Sequence, residues 1–418
     1  MAAAADPHSE VIIVGAGLAG LACAADLLAA GLSVQVLDAS DAVGGRMRTD
    51  TEAGFHLDRG FQVLNTSYPQ LRRRLDLRAL RLRRFTPGIL LDHGDRRVRL
   101  GDPTRHAGDL ADLLPGRFAA PRDLAALALL GGRDLLAPPA LLRRGPETTT
   151  QAALAAAGVS DELVEALFRP FLAGVFLEDA LETSSRFFHL VLRSMLRGTT
   201  CLPAEGIRAV PDQLAAALPP RSLRLEAPVL RLAENGVLLR DGTELTAESV
   251  VVATGARAAA ALLPELAVPA GRTVTTYYHA AADSPLAEPT LLVDGSRALL
   301  HTCVLTEVAP TYSTDGRALV SSSVLGGDAP AQEGSVRARL AELYRTDTSG
   351  WEHLATRTVT DALPAMPAPH PLTRRTRLGH GRYVCGDHRA TGSVQGALAS
   401  GARAARDVLA DRARGPRA

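Results

Sequence analysis

The six residues Gly15-Ala-Gly17-Leu-Ala-Gly20 have the types and spacing to hold a phosphate group. Gly15 permits a tight turn, Gly17 lets backbone approach a pyrophosphate, and Gly20 lets the next helix pack against the preceding strand. The N–H groups opening that helix, at Leu18 and Ala19, would attract the anion. Asp38 stands 18 residues beyond Gly20, where an acid would accept a hydrogen bond from a ribose hydroxyl. Ala39 follows it. Gly44-Gly45-Arg46 adds a second flexible turn and a permanent cation suited to bidentate phosphate contacts.

Such a constellation needs elements to carry it, because an isolated GxGxxG also serves ordinary turns. Val11 to Val14 is a continuous apolar run of the kind that forms a strand buried on both faces. Leu18 to Ala30 reads as an Ala- and Leu-rich helix stopped by Gly31, and Ser33 to Leu37 as the next strand, ending at Asp38. Strand, helix, strand and acid together predict a dinucleotide site. The adjacent Gly44-Gly45-Arg46 favours FAD over NAD.

The chain has 418 residues, enough for two or three domains. Hydrophobic residues at 46% and charged residues at 22% describe a globular protein rather than a disordered one. With 46 basic and 45 acidic residues the formal charge is +1, so no net field favours nucleic acid. Every basic residue is Arg; no Lys occurs. Schiff-base chemistry, pyridoxal phosphate enzymes and the lysine-bearing P-loop are therefore excluded. Cys23, Cys201, Cys303 and Cys385 lie far apart with no CxxC pair, so neither a zinc site nor a disulfide framework is expected, and no other metal site. No basic export signal precedes the first strand, and no apolar run of about 18 residues occurs, which together predict a cytoplasmic protein without a spanning helix.

With its GxGxxG, acid and GGR, the chain resembles the flavin-containing amine oxidase and phytoene desaturase superfamily. Further segments carry the resemblance. Asp58-Arg-Gly60-Phe61-Gln62 is similar to the stretch that passes beside the isoalloxazine ring, and Gly206 to Leu218 to the start of the returning helix. Leu230 to Ala256 reads as short strands with turns at Glu234-Asn235-Gly236 and Asp241-Gly242, ending in Val250-Val-Val-Ala253-Thr254-Gly255. Val229 occupies the position whose backbone the family uses to bind adenine. Tyr383-Val-Cys-Gly386-Asp387 resembles the last strand and GD motif, and Ser393-Val394-Gln395-Gly396-Ala397 the opening of a terminal helix.

The resemblance implies an α/β fold in which a Rossmann-type FAD-binding domain is interleaved with an α+β substrate domain built from an antiparallel sheet and a helical cap. The FAD-binding pieces would be 1–65, 203–262 and 375–418, and the substrate pieces 66–202 and 263–374. It also implies noncovalent FAD, with Asp387 bonding the ribityl or phosphate region. The helix from Ser393 would aim at flavin N1 and the C2 carbonyl, stabilising the charge that develops on reduction. Two departures weaken simple amine oxidation. No Lys can hold a water near flavin N5, and Ser393 stands where that branch often has a cage tyrosine.

Within 66–202, Asp102 to Leu142 reads as helical stretches broken by Pro115, Pro121, Pro138 and Pro139, and Thr183-Ser-Ser185 as the cap of a helix to Arg197. Thr273–Ala280, Thr290–Val293, Ala298–Thr306 and Ala318–Val324 read as strands of one antiparallel sheet that would floor a substrate cavity. His189, His301 and His388 could carry protons, although ordinary structural histidines are the commoner case. Among the aromatics, Phe61 with its neighbour Gln62 is the best candidate to line the flavin, together with Ser393, while Phe187, Phe188, Tyr277 and Tyr278 fit core packing. Cys385 fits a buried strand end better than a flavin thioether.

The expected activity is hydride removal from a small, largely apolar organic substrate, as in a dehydrogenase or desaturase. Oxygen or a quinone would reoxidise the flavin, because no second GxGxxG offers an NADPH domain. An amine oxidase producing an imine and hydrogen peroxide is the alternative, and a redox-neutral flavin isomerase a third. The Leu- and Arg-rich cap helices leave peripheral membrane contact open.

Overall fold

The computed structural model describes residues 8–94, 96–101, 119–327 and 332–414. Pro115 lies outside these residues. The architecture is mixed α/β, with strands in two large sheets.

The first sheet has eight strands drawn from three separated stretches of chain. Its parallel core places Val34–Leu37, His8–Val14, Glu244–Val252 and Arg382–Val384 side by side, with Leu223–Arg224 outside Val34–Leu37. On the central strand Val11 and Ile13 point to one face and Ile12 and Val14 to the other, and all four are buried. The helices Leu18–Ala29 and Val394–Arg412 cover the first face. They cross so closely that a Cβ on Gly401 would stand 2.1 Å from the Ala19 carbonyl oxygen. The second face is covered by Val237, Leu239 and Leu245, from the antiparallel extension Val229–Ala233, Gly236–Leu239 and Glu244–Val252.

The second sheet has seven strands, in the order Glu352–Pro364, Gly271–Ala281, Ala318–Leu325, His301–Val304, Leu292–Asp294, Ile89–His93, Arg96–Leu100. The strands from the four segments expected to form an antiparallel sheet do pair antiparallel, and the sheet extends beyond them where Leu292–Asp294 pairs in parallel with Ile89–His93. Ala298–Thr306 is not one strand. The Asp294 carboxylate accepts the N–H groups of Ser296 and Leu299, making a turn, and the residues after Val304 coil into Leu305–Val308. Tyr277, Val304 and Val320 pack beneath the helix Glu333–Tyr344. The opposite face carries Thr276, Ser323 and His301 in register.

Helices Pro121–Leu136, Thr150–Ala156, Arg169–Phe176 and Ser185–Arg197 form the cap, whose core includes Leu154, Phe168, Phe187 and Phe188. Ser184 occupies the N-cap of the last helix without a side-chain cap bond, and its hydroxyl donates to the Glu147 carboxylate at 2.6 Å.

Candidate active site

Val14 is in register with both Leu37 and Val252, and Val252 with Val384. The chain therefore leaves four parallel strands at one edge, through Gly15, Asp38, Ala253 and Cys385. The carboxyl edge of an open α/β sheet is where such folds bind ligands.

The glycine loop is built as its spacing predicts. Gly15 has φ +111°, a conformation that L side chains rarely adopt, and its N–H donates to the Leu37 carbonyl at 2.7 Å. A Cβ on Gly20 would stand 1.9 Å from the Gly15 oxygen, whereas one on Gly17 would meet no protein atom within 4 Å. That open space faces the start of Leu18–Ala29, which has neither a side-chain cap nor an acidic residue in its first turn. The N–H groups of Leu18 and Ala19 are thus left for an anion.

Asp38 is held by two backbone donors, the N–H of Ala16 at 2.6 Å and that of Ser40 at 2.8 Å. Each carboxylate oxygen keeps a further lone pair. Ala39 beside it is exposed. The Gly44 N–H donates to Ala16 at 2.9 Å, packing the second glycine turn onto the first, and a Cβ on Gly45 would stand 3.8 Å from Gly17. The N–H of Ala227 donates to Asp38 and that of Glu226 to Ser40, which carries the chain past the acid to half-buried Val229. Ala253 is buried against the glycine loop, and Gly255 precedes the short helix Ala256–Leu262. Between them the Thr254 hydroxyl is buried with no hydrogen-bond partner. An orphaned hydroxyl, an uncapped helix start and a space only glycine leaves open all fit a dinucleotide.

Arg46 closes the site. It donates to the Asp387 carboxylate at 2.7 Å and to the carbonyls of Asp361 and Ala362 at 3.1 and 2.8 Å. Gln62 in turn donates to the Arg46 carbonyl at 2.8 Å. Gly386, at φ +146°, donates its N–H to Ser400 on the closing helix, which sets Asp387 beneath Arg46. This Arg–Asp bond had no sequence signal, because nothing local links residues so far apart. His388 beside it is buried with both ring nitrogens unpartnered, and burial pushes its pKa down to about 4.

Beyond Gln62 lies an apolar wall. Gly60, at φ +88°, lies against Val359, and Phe61 packs on His301 with ring centroids 4.5 Å apart. The Phe61 N–H reaches the Thr276 hydroxyl at 3.4 Å, which bonds Ser323 at 3.1 Å. Val274, Leu177, Leu300 and Leu363 form the neighbouring cluster. His301 is 6% exposed, its Nε2 has no partner, and burial alone pushes its pKa down to about 4, so the ring is neutral.

The closing helix begins at Ser393 as its sequence predicts, and the side chains of its first turn have partners within the protein. Ser393 is its N-cap, accepting the Gly396 N–H at 3.0 Å, so its hydroxyl is engaged in the cap. Gln395 turns away to accept the Gln70 N–H at 2.9 Å, and Val394 and Ala397 pack against the core of the first sheet. His189 lies in the cap, bonded to Asp134 at 2.8 Å. Tyr278 donates to the Asp58 carbonyl, Tyr277 faces the Glu333–Tyr344 helix, and Phe187 and Phe188 fill the cap core. All four cysteines are free and buried, and burial pushes the Cys385 thiol up to about 12. Among the described residues no helix is long and apolar enough to cross a membrane.

Comparison with known proteins agrees with this geometry. A phytoene dehydrogenase from Streptomyces griseus is 48% identical over 58 residues, 14% of this chain and 11% of the relative. A putrescine oxidase from Kocuria rosea is 45% identical over 62 residues, 15% of this chain and 13% of the relative. The matched segments thus span only a small part of either protein. The structure of cyclohexylamine oxidase from Brevibacterium oxydans superposes with a TM-score of 0.73 at 20% identity, over 97% of this chain and 100% of that one, which speaks to the fold alone. The family model for flavin-containing amine oxidoreductases matches residues 18–409. A match of that extent, on a chain with this parallel sheet and glycine turn, means that the chain belongs to the flavin-containing amine oxidoreductase family.

Proposed function

We propose that the protein holds FAD noncovalently and removes a hydride from a small, largely apolar organic substrate, in the manner of a dehydrogenase or desaturase. A bound flavin supplies the hydride acceptor. Gly17 and the N–H groups of Leu18 and Ala19 receive the pyrophosphate, Asp38 the ribose, and the Arg46–Asp387 pair the segment between phosphate and ring. Phe61, Val274, Val359 and Leu363 line the side where substrate meets the ring and exclude water from it.

The observation that carries this reading is the character of that wall. Its clustered side chains are apolar, and the His301 ring packed beside them is neutral. An apolar wall with a neutral ring suits a hydrocarbon better than an ammonium group. The match to putrescine oxidase supports a second reading, oxidation of an amine to an imine with release of hydrogen peroxide.

The two separate in one experiment. Purified yellow protein is mixed anaerobically with a solubilised polyene or with a panel of primary amines, and the oxidised flavin band is followed. Bleaching by the polyene supports dehydrogenation. Bleaching by amines alone, with peroxide on admitting air, moves the assignment to amine oxidation. Failure of every substrate points to the redox-neutral role.

A further inference from the structure

Three arginines meet around the closing turn. Arg374 lies on the approach to the last strands, Arg389 ends the turn Asp387–Arg389, and Arg403 stands on the helix Val394–Arg412. Backbone carbonyls tie them together. The Arg389 carbonyl accepts both the Arg374 N–H at 2.9 Å and the Arg403 guanidinium at 3.1 Å, and the Arg389 guanidinium donates to the Arg375 carbonyl at 2.6 Å. Arg389 is 8% exposed, and the other two are half-buried.

Their positive charge is only partly met, with Asp407 acting on Arg403 from a distance. Each of the three keeps a buried Nε without a hydrogen-bond partner, and so does Nε2 of buried His370 beside them. Among the described residues none of the three forms an ion pair, because the nearby carboxylates are already engaged. Asp407, one turn beyond Arg403, pairs with Arg377 at 3.0 Å, and Glu147 pairs with Arg186 at 2.9 Å and accepts the His370 N–H at 3.1 Å. Arg143 of the cap and Arg406 add positive charge near Arg403. Burial and this mutual repulsion hold the guanidinium pKa values of Arg389 and Arg403 below their ordinary range.

Clustered guanidinium groups withdrawn from water without an ion-pair partner are a costly arrangement, and unmet N–H donors add to the cost. An oxyanion removes both penalties at once, since guanidinium forks match its geometry. We propose that Arg374, Arg389 and Arg403 form a binding site for an oxyanion of the phosphate class, separate from the dinucleotide cradle. The anion ties the turn bearing Asp387 to the closing helix.

The test uses the flavin-loaded protein, in which any pyrophosphate site is filled and the flavin absorbance reports that it stays so. Inorganic phosphate and glycerol phosphate are titrated separately by calorimetry at constant ionic strength, and melting temperature is followed against chloride. The expected result is saturable binding with a melting point raised by about 2 °C or more at ten times the dissociation constant. Arg403→Met and Arg374→Met should each weaken binding roughly tenfold, while Arg83→Met, on the separate arginine-lined surface cavity at Arg78–Arg84, leaves it unchanged. Equal binding of the two ligands assigns free phosphate, and tighter binding of the ester assigns a larger phosphorylated molecule. No saturable binding, an equal effect from chloride, or loss only with Arg83→Met overturns the proposal. Should one variant fail to fold, the other and the wild-type titration still decide.

Discussion

Arg46 and Asp387, 341 residues apart in sequence, meet through a 2.7 Å charge-assisted hydrogen bond. The bond joins the second glycine turn to the GD turn, so the two ends of the chain close around one cleft. Arg46 also reaches the carbonyls of Asp361 and Ala362 on the long strand Glu352–Pro364, which couples the second sheet to the same point.

Asp387→Ala should therefore weaken FAD binding. Loss of a charge-assisted hydrogen bond is worth about 1.5 to 3 kcal/mol, or roughly 10- to 100-fold in dissociation constant. Equilibrium dialysis of the flavin measures it. A dissociation constant equal to that of the wild type would remove Asp387 from the site.

Gly17→Val and Gly20→Val should fail in different ways. A side chain at 17 meets no protein atom within 4 Å, so that variant should fold with normal circular dichroism and yet be colourless. One at 20 runs into the Gly15 carbonyl and should cost several kcal/mol of stability, on the scale of severe core overpacking. A yellow Gly17→Val protein would contradict the cradle.

Asp58 gives the fold an acid-side stabilisation. It is 3% exposed and accepts hydrogen bonds from Thr49, Ile207 and Tyr312, yet burial outweighs these and raises its pKa from 3.8 to about 6. The native state then holds a proton that the unfolded chain has released. This contribution is full below about pH 4 and is lost as pH rises through about 6. Urea unfolding of Asp58→Asn should show a flatter pH dependence across that window, and an unaltered slope would refute the assignment.

His301 acts with the opposite sign. Burial lowers its pKa from 6.5 to about 4, so the unfolded chain takes up a proton that the native ring refuses. Its contribution is full above about pH 6.5 and is lost as pH falls through about 4. His301→Phe should flatten the acid limb of stability while keeping the flavin, because the ring packs on Phe61 and makes no charged contact with the cradle.

Much of the dinucleotide half was legible because its signals are local. Val11–Val14, the three glycines, Gly31 and Asp38 each act within a few residues of themselves, and their strand and helix form where periodicity puts them. The closing helix was legible as an element but not in its contacts. That Gln395 accepts the Gln70 N–H and that the Ser393 hydroxyl caps Gly396 could not be read from the sequence, because Gln70 lies on a distant segment and a cap shows only once the helix is placed.

The sequence by itself determined the glycine turn, the parallel strands that carry it and the absence of any lysine chemistry, because these depend on residue type and short spacing. Tertiary structure alone decided that Arg46 pairs with Asp387, that His301 lies neutral against Phe61, and that Arg374, Arg389 and Arg403 share one neighbourhood. Those relationships arise from burial and from contacts between distant segments, which appear only once both sheets have folded and closed on each other.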